Sequence, residues 1–259
     1  MKLKLLGYEY NASGVIVGFK GYRAGGWKYC EEHGGYPSLY TDENGKLVKI
    51  YDQRCPHCQA KEIFERLFKG SMIPRRFEGK TLESYVAKEP WQIEAKEKVS
   101  AYCRDIAEIA ESGKSLVLLG GVGTGKTHLA ICMLKAMINE GGVGVFLSVS
   151  DLILSIRSTW NTGGTAEKMN LYCEAHLLVL DEVGVQAGTE NERQILFSII
   201  NRRYNEMKPT VLISNLDLAA FKSFVGLRIF DRLKEGGGEV LVLAGKSYRD
   251  GGKQSCFWN

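Results

Sequence analysis

Beyond residue 90 the apolar positions alternate between two rhythms. Gln92–Ser112 spaces Ala, Ile and Val by three and four, which predicts a helix, and Ser115–Leu119 is a short continuous apolar run suited to a buried strand. A glycine-rich loop and a helix over 126–140 follow. Then come a strand at Val143–Val149, a helix over 151–160, a strand at Leu177–Leu180, a helix over 189–206 and a strand at Val211–Ser214. Strands separated by helical segments predict parallel βαβ units, so the C-terminal two-thirds reads as an α/β sheet domain. None of these apolar runs is long enough to span a bilayer, and no membrane partner is expected.

Composition divides the chain. The 259 residues are 44% apolar and 25% charged, which excludes collagenous and mostly disordered classes. That length suits one large domain, or a medium domain with a small companion. The N-terminus turns polar at Tyr8, Glu9 and Asn11, so no signal-peptide core is read and a cytoplasmic, reducing location is expected. Seven cysteines, an odd number, then argue for metal ligands plus free thiols. The net charge of +4 is mildly basic and lies mostly in the first quarter: residues 1–70 hold 11 Lys and Arg against 8 Asp and Glu, and residues 96–259 hold 19 against 18. The run from Gly70 to Arg76, with Ser71 and Pro74, has the punctuation of a linker. The expected division is a small domain over 1–70, a connecting segment over 71–95 and the α/β domain over 96–259.

The loop after the first predicted strand carries the chemistry. Gly120-Gly121-Val122-Gly123-Thr124-Gly125-Lys126-Thr127 fits G-x-x-x-x-G-K-T. Its glycines permit positive φ and turn backbone N–H groups towards phosphate oxygens, and the following helix presents its positive end to the same anion. Gly121, Val122, Gly123, Thr124, Gly125, Lys126, Thr127 and His128 are the expected nucleotide contacts. Lys126 reaches the β- and γ-phosphates, and the Thr127 hydroxyl is a Mg²⁺ ligand. The strand at 177–180 ends in Asp181 and Glu182; with a phosphate loop upstream, Asp181 is expected to help hold Mg²⁺ and Glu182 to orient the attacking water. Asn215 ends the strand at 211–214, where a polar residue lies beside the γ-phosphate if that strand neighbours the other two.

Several further runs resemble a family. Asp181-Glu182-Val183-Gly184-Val185-Gln186, Pro209 to Asn215, Gly226 to Leu233 and Ser247-Tyr248-Arg249 are similar to the DnaC-type replicative helicase loaders, AAA+ ATPases of the clade that includes DnaA and IstB. The resemblance covers roughly residues 73–259 and implies a three-layer αβα AAA+ core. It also implies a sensor-1 role for Asn215, a sensor-2 role for Arg249, and Arg232 as the arginine finger reaching a neighbouring subunit, with Arg228 second. Leu227 departs from the family's common acidic residue. The stretch from Phe77 to Tyr85 resembles the adenine-proximal segment. With 44 residues after Asn215, no full helical lid is expected. Asp151–Glu174 occupies the clade's helical insertion, which lines a single-stranded DNA path in the family; Trp160 there either stacks on a base or anchors the insertion.

Cys30-Glu-Glu-His33 and Cys55-Pro-His-Cys58 form two C-x-x-H/C hooks separated by 21 residues. Two such hooks complete Cys₃His zinc coordination, with ligands Cys30, His33, Cys55 and Cys58 and with His57 as rival for the histidine position. Cys103, Cys132, Cys173 and Cys256 read as free thiols. Some loader relatives carry a zinc domain that grasps the helicase. The amphipathic run Lys61–Lys69, with Ile63, Phe64, Leu67 and Phe68, is either a helicase-contacting helix or a helix packed on the zinc module. The expected function is an ATPase, with ATP, Mg²⁺ and Zn²⁺ as cofactors. It would self-associate through the ATPase domain, bind a hexameric replicative helicase and deliver it onto single-stranded DNA. The rivals are an IstB-like transposition helper on duplex DNA and a non-hydrolysing adaptor.

Overall fold

A computed structural model of the chain describes residues 8–10, 16–32, 34–48, 55–160, 163–185 and 189–245. Two five-stranded sheets organise them. The first is antiparallel and was not foreseen from the periodicity: β1 (Tyr8–Tyr10), β2 (Ile16–Phe19), β3 (Tyr22–Cys30), β4 (Gly34–Thr41) and β5 (Leu47–Val48) pair in chain order. Trp27 pairs with Pro37 and Tyr29 with Gly35, which places both aromatics on one face, where they are 62% and 77% exposed. The other face buries Tyr36 and Tyr40, and Phe19 meets Tyr40 edge-on at 5.9 Å between centroids.

Helix α1 (Pro56–Gly70) leads away from this sheet, with Pro56 supplying the fixed φ of a first helical position. Its last turn belongs to the other domain. Leu67 and Phe68 pack against the core beneath the parallel sheet, and Lys135 sits 6.0 Å from the Phe68 ring centroid. Packing of the 61–69 run on the zinc module is therefore corrected at Leu67 and Phe68; the Ile63 and Phe64 side chains lie outside the described residues. Ser71 is fully buried, and its carbonyl accepts the Phe146 N–H at 2.8 Å. The connecting segment thereby docks on the outer edge of the sheet before α2 (Arg75–Glu78).

The parallel sheet contains β6 (Leu116–Gly120), β7 (Gly144–Ser148), β8 (Leu177–Asp181), β9 (Thr210–Ser214) and β10 (Glu239–Leu243), in the order β10-β6-β9-β8-β7. Alternate side chains divide between two cores. Leu116, Leu118, Leu177, Val179, Val211 and Ile213 face α3 (Pro90–Arg104), α4 (Ile106–Ser112) and α5 (Lys126–Asn139). Val117, Leu119, Leu178, Leu180 and Leu212 face α6 (Val149–Arg157), α8 (Glu190–Asn205), α9 (Leu218–Val225) and α10 (Leu227–Lys234). The predicted α/β architecture is thus present as helix, sheet and helix layers, with a fifth strand added at the edge.

Local differences from the periodicity have local causes. The helix expected over 92–112 is two helices broken at Asp105, which closes α3 by donating its N–H to Ala101 and starts α4 by accepting from Ile109. The helix expected over 151–160 starts two residues earlier, because Ser148 caps it by accepting the Asp151 N–H at 3.0 Å. A second insertion helix, α7 (Thr165–Glu174), follows it. After α10, a short 3-10 turn (Glu235–Gly237) reverses the chain into β10; Gly236 and Gly237 take φ of 66° and 84°, which accounts for the glycine run there.

One buried charge ties these parts together. Arg203, on α8, is fully buried, and its guanidinium donates to the carbonyls of Tyr172, Cys173, Ala175 and Pro209 and to Thr210 Oγ1, at 2.6–3.1 Å. It caps the C-terminal end of α7, where backbone carbonyls carry partial negative charge. Burial pushes its pKa down to about 9. The sequence signal was present but unread: Arg203 continues the apolar helical stripe of Leu196, Ile199 and Ile200.

Candidate nucleotide site

The parallel register brings three strand ends together. Ser214 lies opposite Leu119, and Leu180 lies opposite Leu212, so Asn215 is level with the start of the phosphate loop and follows Ile213, the residue level with Asp181, by two positions. This is the crevice outside the carboxyl ends of the strands, where open α/β sheets bind ligands. Asn215 is exposed there.

The loop itself is closely determined. Gly125 takes φ 93° as it opens α5, and a Cβ at that position would lie 2.6 Å from Tyr85 Cε2, so both backbone and neighbour require glycine. Lys126 curls under the loop and is nearly buried; its Nζ donates to the carbonyls of Gly120 and Gly121 at 2.6 and 2.7 Å. Val122 is exposed at the loop tip, whereas Thr124 is buried and its hydroxyl donates to Gly121 O at 3.0 Å.

Tyr85 closes the loop from below. Its hydroxyl donates to Thr124 O at 3.4 Å, its ring meets His128 edge-on at 5.4 Å, and burial pushes its pKa up to about 12. The ring of His128, a residue expected among the nucleotide contacts, lies on this segment, with Nε2 2.7 Å from Thr81 O. Burial, then the nearby Lys80, Lys135 and Lys96, hold its pKa below the usual value, favouring the neutral ring. Lys135 Nζ donates to the carbonyls of Phe77, Glu78 and Lys80, fixing the rest of the segment expected near adenine.

Thr127 and Asp181, separated by 54 positions in the chain, meet directly: the Thr127 hydroxyl donates to Asp181 Oδ2 at 2.8 Å. The other carboxylate oxygen accepts the Glu182 N–H at 2.7 Å. Converging hydroxyl and carboxylate oxygens are the donor type for a hard divalent cation such as Mg²⁺. Glu182 has φ 60°, a left-handed conformation that costs a non-glycine residue about 1–3 kcal/mol, and its side chain is exposed at the mouth of the crevice. Ser214, which sequence reasoning missed, braces this corner. It donates to Val183 O at 2.5 Å and accepts from the Leu216 N–H at 3.1 Å, tying β9 to the turn after Glu182.

The three arginines fall differently. Arg228 is exposed on the first turn of α10. Arg232 is half-buried one turn later, against Phe197 and Tyr204 on α8. Arg249 lies outside the described residues, as do Gln186, Ser247, Tyr248 and Cys256. Trp160 is 52% exposed with the Arg157 guanidinium 6.0 Å from its ring centroid, so it is not sunk into the core.

A second cluster lies in the N-terminal module. Cys30 ends β3, Cys55 precedes α1, and Cys58 is in the first turn of that helix; their sulfurs all lie within 4.8 Å of one another. Cys30 and Cys58 Sγ are 3.6 Å apart. A tetrahedral site with Zn–S bonds of about 2.3 Å needs sulfurs about 3.8 Å apart, so the three thiols fit zinc. His33 and the His57 side chain, the two histidines weighed as the fourth ligand, lie outside the described residues. Cys132 and Cys173 are buried and Cys103 partly so, all as free thiols.

Comparison with known proteins agrees with this geometry. YdaV of Escherichia coli K12 is 34% identical over 131 residues, a match covering 50% of this chain and 53% of YdaV. The replicative helicase loader DnaC of the same organism is 28% identical over 187 residues, covering 71% of this chain and 75% of DnaC. The crystal structure of the DnaC helicase loader superposes with a TM-score of 0.60 at 28% identity, covering 65% of this chain and 99% of that one. The core is therefore a DnaC-like AAA+ fold. The family model for IstB-like ATP binding proteins matches residues 66–256, and the chain belongs to that ATP-binding family.

Proposed function

We propose that the chain is an ATP-hydrolysing loader that binds a replicative helicase through its N-terminal module and delivers it onto single-stranded DNA. The observation that carries the reading is the Thr127–Asp181 contact beneath a phosphate loop, in a core similar to the loader DnaC.

The residues divide the work. The loop N–H groups from Gly121 to Thr127 hold the phosphates, and Lys126 exchanges its loop carbonyls for β- and γ-phosphate oxygens. Thr127 and Asp181 hold Mg²⁺, which neutralises phosphate charge when bound. Glu182 orients the attacking water, Asn215 contacts the γ-phosphate side of the crevice, and Arg249 closes the site as sensor 2. Arg232 supplies a guanidinium to the nucleotide of a neighbouring copy, with Arg228 as the second candidate, because charge on a transferring phosphoryl group is stabilised by such donors. Cys30, Cys55, Cys58 and His33 hold zinc, keeping the N-terminal module folded. Trp160, half-exposed beside Arg157, stacks on a base of the single strand.

Capture of the cognate replicative helicase, with and without ATP, is the decisive test: an ATP-modulated complex is expected, and none under any condition rejects the loader reading. Turnover separates an enzyme from an adaptor. Lys126→Ala and Glu182→Gln are each expected to abolish ATP hydrolysis, and equal, negligible turnover in the unaltered chain would leave an adaptor. The family match favours one second reading, an IstB-like transposition helper. Oligomers that form only on duplex DNA, with no helicase capture, would establish it.

A further inference from the structure

Arg232 is held by its faces. Its Cζ lies 5.4 Å from the ring centroid of Phe197 and 5.5 Å from that of Tyr204. These rings are seven residues apart on α8 and so share one helix face. Tyr204 is itself braced, because its hydroxyl donates to Glu235 Oε2 at 2.5 Å, just beyond the end of α10. Aromatic faces attract a guanidinium without consuming its in-plane N–H donors. Consistent with that, Nη1 of Arg232 is buried and makes no hydrogen bond among the described residues. The side chain lines a cavity of about 580 Å³ at the N-terminal edge of the parallel sheet, together with Lys208, Ser115, Thr210, Tyr204 and Glu235.

Arg203 is the contrast on the same helix. It donates from all three nitrogens to four carbonyls and a hydroxyl and is fully buried, out of reach of a ligand. Arg232 is ordered by rings that compete for none of its donors. A long side chain ordered in advance loses less freedom when an anion arrives, and its unspent donors gain most from a charged acceptor.

We infer that Phe197 and Tyr204, the latter braced by Glu235, are positioning residues that hold the Arg232 guanidinium ready for a phosphate group carried by a second copy of this chain. The inference rests on Arg232 acting on a neighbouring copy's nucleotide.

Mixing full-length variants separates donor from acceptor. Lys126→Ala chains lack a working phosphate loop but keep Arg232; Arg232→Ala chains have the reverse defect. Together, with ATP, Mg²⁺ and a poly(dT) oligonucleotide, they are expected to turn over ATP at least about tenfold faster than either alone. Adding Phe197→Leu and Tyr204→Leu to the Lys126→Ala chain is expected to lower that restored rate about tenfold. The same pair added to the Arg232→Ala chain is expected to preserve it, which also reports that the altered helix still folds. Tyr204→Phe in the donor keeps the ring, loses the Glu235 bond and falls between. Equal loss in both arms makes the rings mere supports of the fold and overturns the inference, as does full restoration by the doubly altered donor. No restoration in the starting mixture overturns the Arg232 reading and the clamp together, while helicase capture decides the loader reading separately.

Discussion

The chain contains two sheets of five strands that are held together by different means. Strands β6, β8 and β9 of the parallel sheet are almost wholly buried, with helices on both faces. The antiparallel sheet has one covered face, built on Tyr36 and Tyr40, and leaves Trp27 and Tyr29 open on the other. The two sheets have the same number of strands and differ in how many faces they bury. Full burial of a Leu or Ile side chain contributes about 1.5–3 kcal/mol, and the parallel sheet collects this on both sides. The small module collects it once, and its three converged thiols can add a cross-link through a metal.

Removing that cross-link has the largest expected effect. Chelation, or Cys58→Ser, is expected to unfold the N-terminal module while the melting transition of the parallel-sheet core stays in place. Structural zinc supplies apparent binding energies of about 10–16 kcal/mol, enough to decide whether a small module folds. Limited proteolysis and metal analysis check this, and an N-terminal module equally resistant to protease after chelation would break the comparison.

Within the core, Arg203→Leu is expected to cost about 3–5 kcal/mol, read by urea unfolding, because it leaves buried carbonyls of α7 and Pro209 unpaired. A loss confined to the antiparallel sheet would contradict the assignment.

A smaller effect follows pH. His176 Nδ1 accepts the Val143 N–H at 3.0 Å, which only a neutral ring can do, and burial, then Lys208 and Arg203, hold its pKa below 6.5. His128 is depressed in the same direction. Below pH 6.5 the unfolded chain therefore binds protons that the folded core resists. Core stability is expected to be higher at about pH 7.5 than at about pH 5.5, and His176→Asn is expected to flatten the dependence in thermal melts. The smallest effect belongs to the surface. Glu239 Oε1 accepts from Lys114 Nζ at 2.8 Å with both side chains partly exposed, so Glu239→Gln should cost under about 1 kcal/mol in the same melts.

The same contrast explains what the sequence made legible. Four parallel strands could be read because continuous apolar runs are the signature of strands covered on both faces. β10 escaped because it lies at the edge and exposes Val242 outward after a glycine run. The antiparallel sheet escaped because Gly- and Tyr-rich strands beside a cysteine cluster show little alternation. In the site, Lys126, Thr127, Asp181 and Asn215 were legible from local spacing and strand ends. The roles of Tyr85 on Gly125 and of Phe197 and Tyr204 on Arg232 were not, because each is created by helices and segments meeting across the fold.

The hydrogen bond from Phe146 to Ser71 makes the end of α1 a lever arm. One peptide group joins the exit of that helix to β7, and β7 is hydrogen-bonded along its length to β8, which ends at Asp181. A pull on the N-terminal module works against that bond and the packing of Leu67 and Phe68, and beyond them against the strand that pairs with the one ending at Asp181. Load on one domain is thereby converted into strain at the other, through a linkage only two strands long.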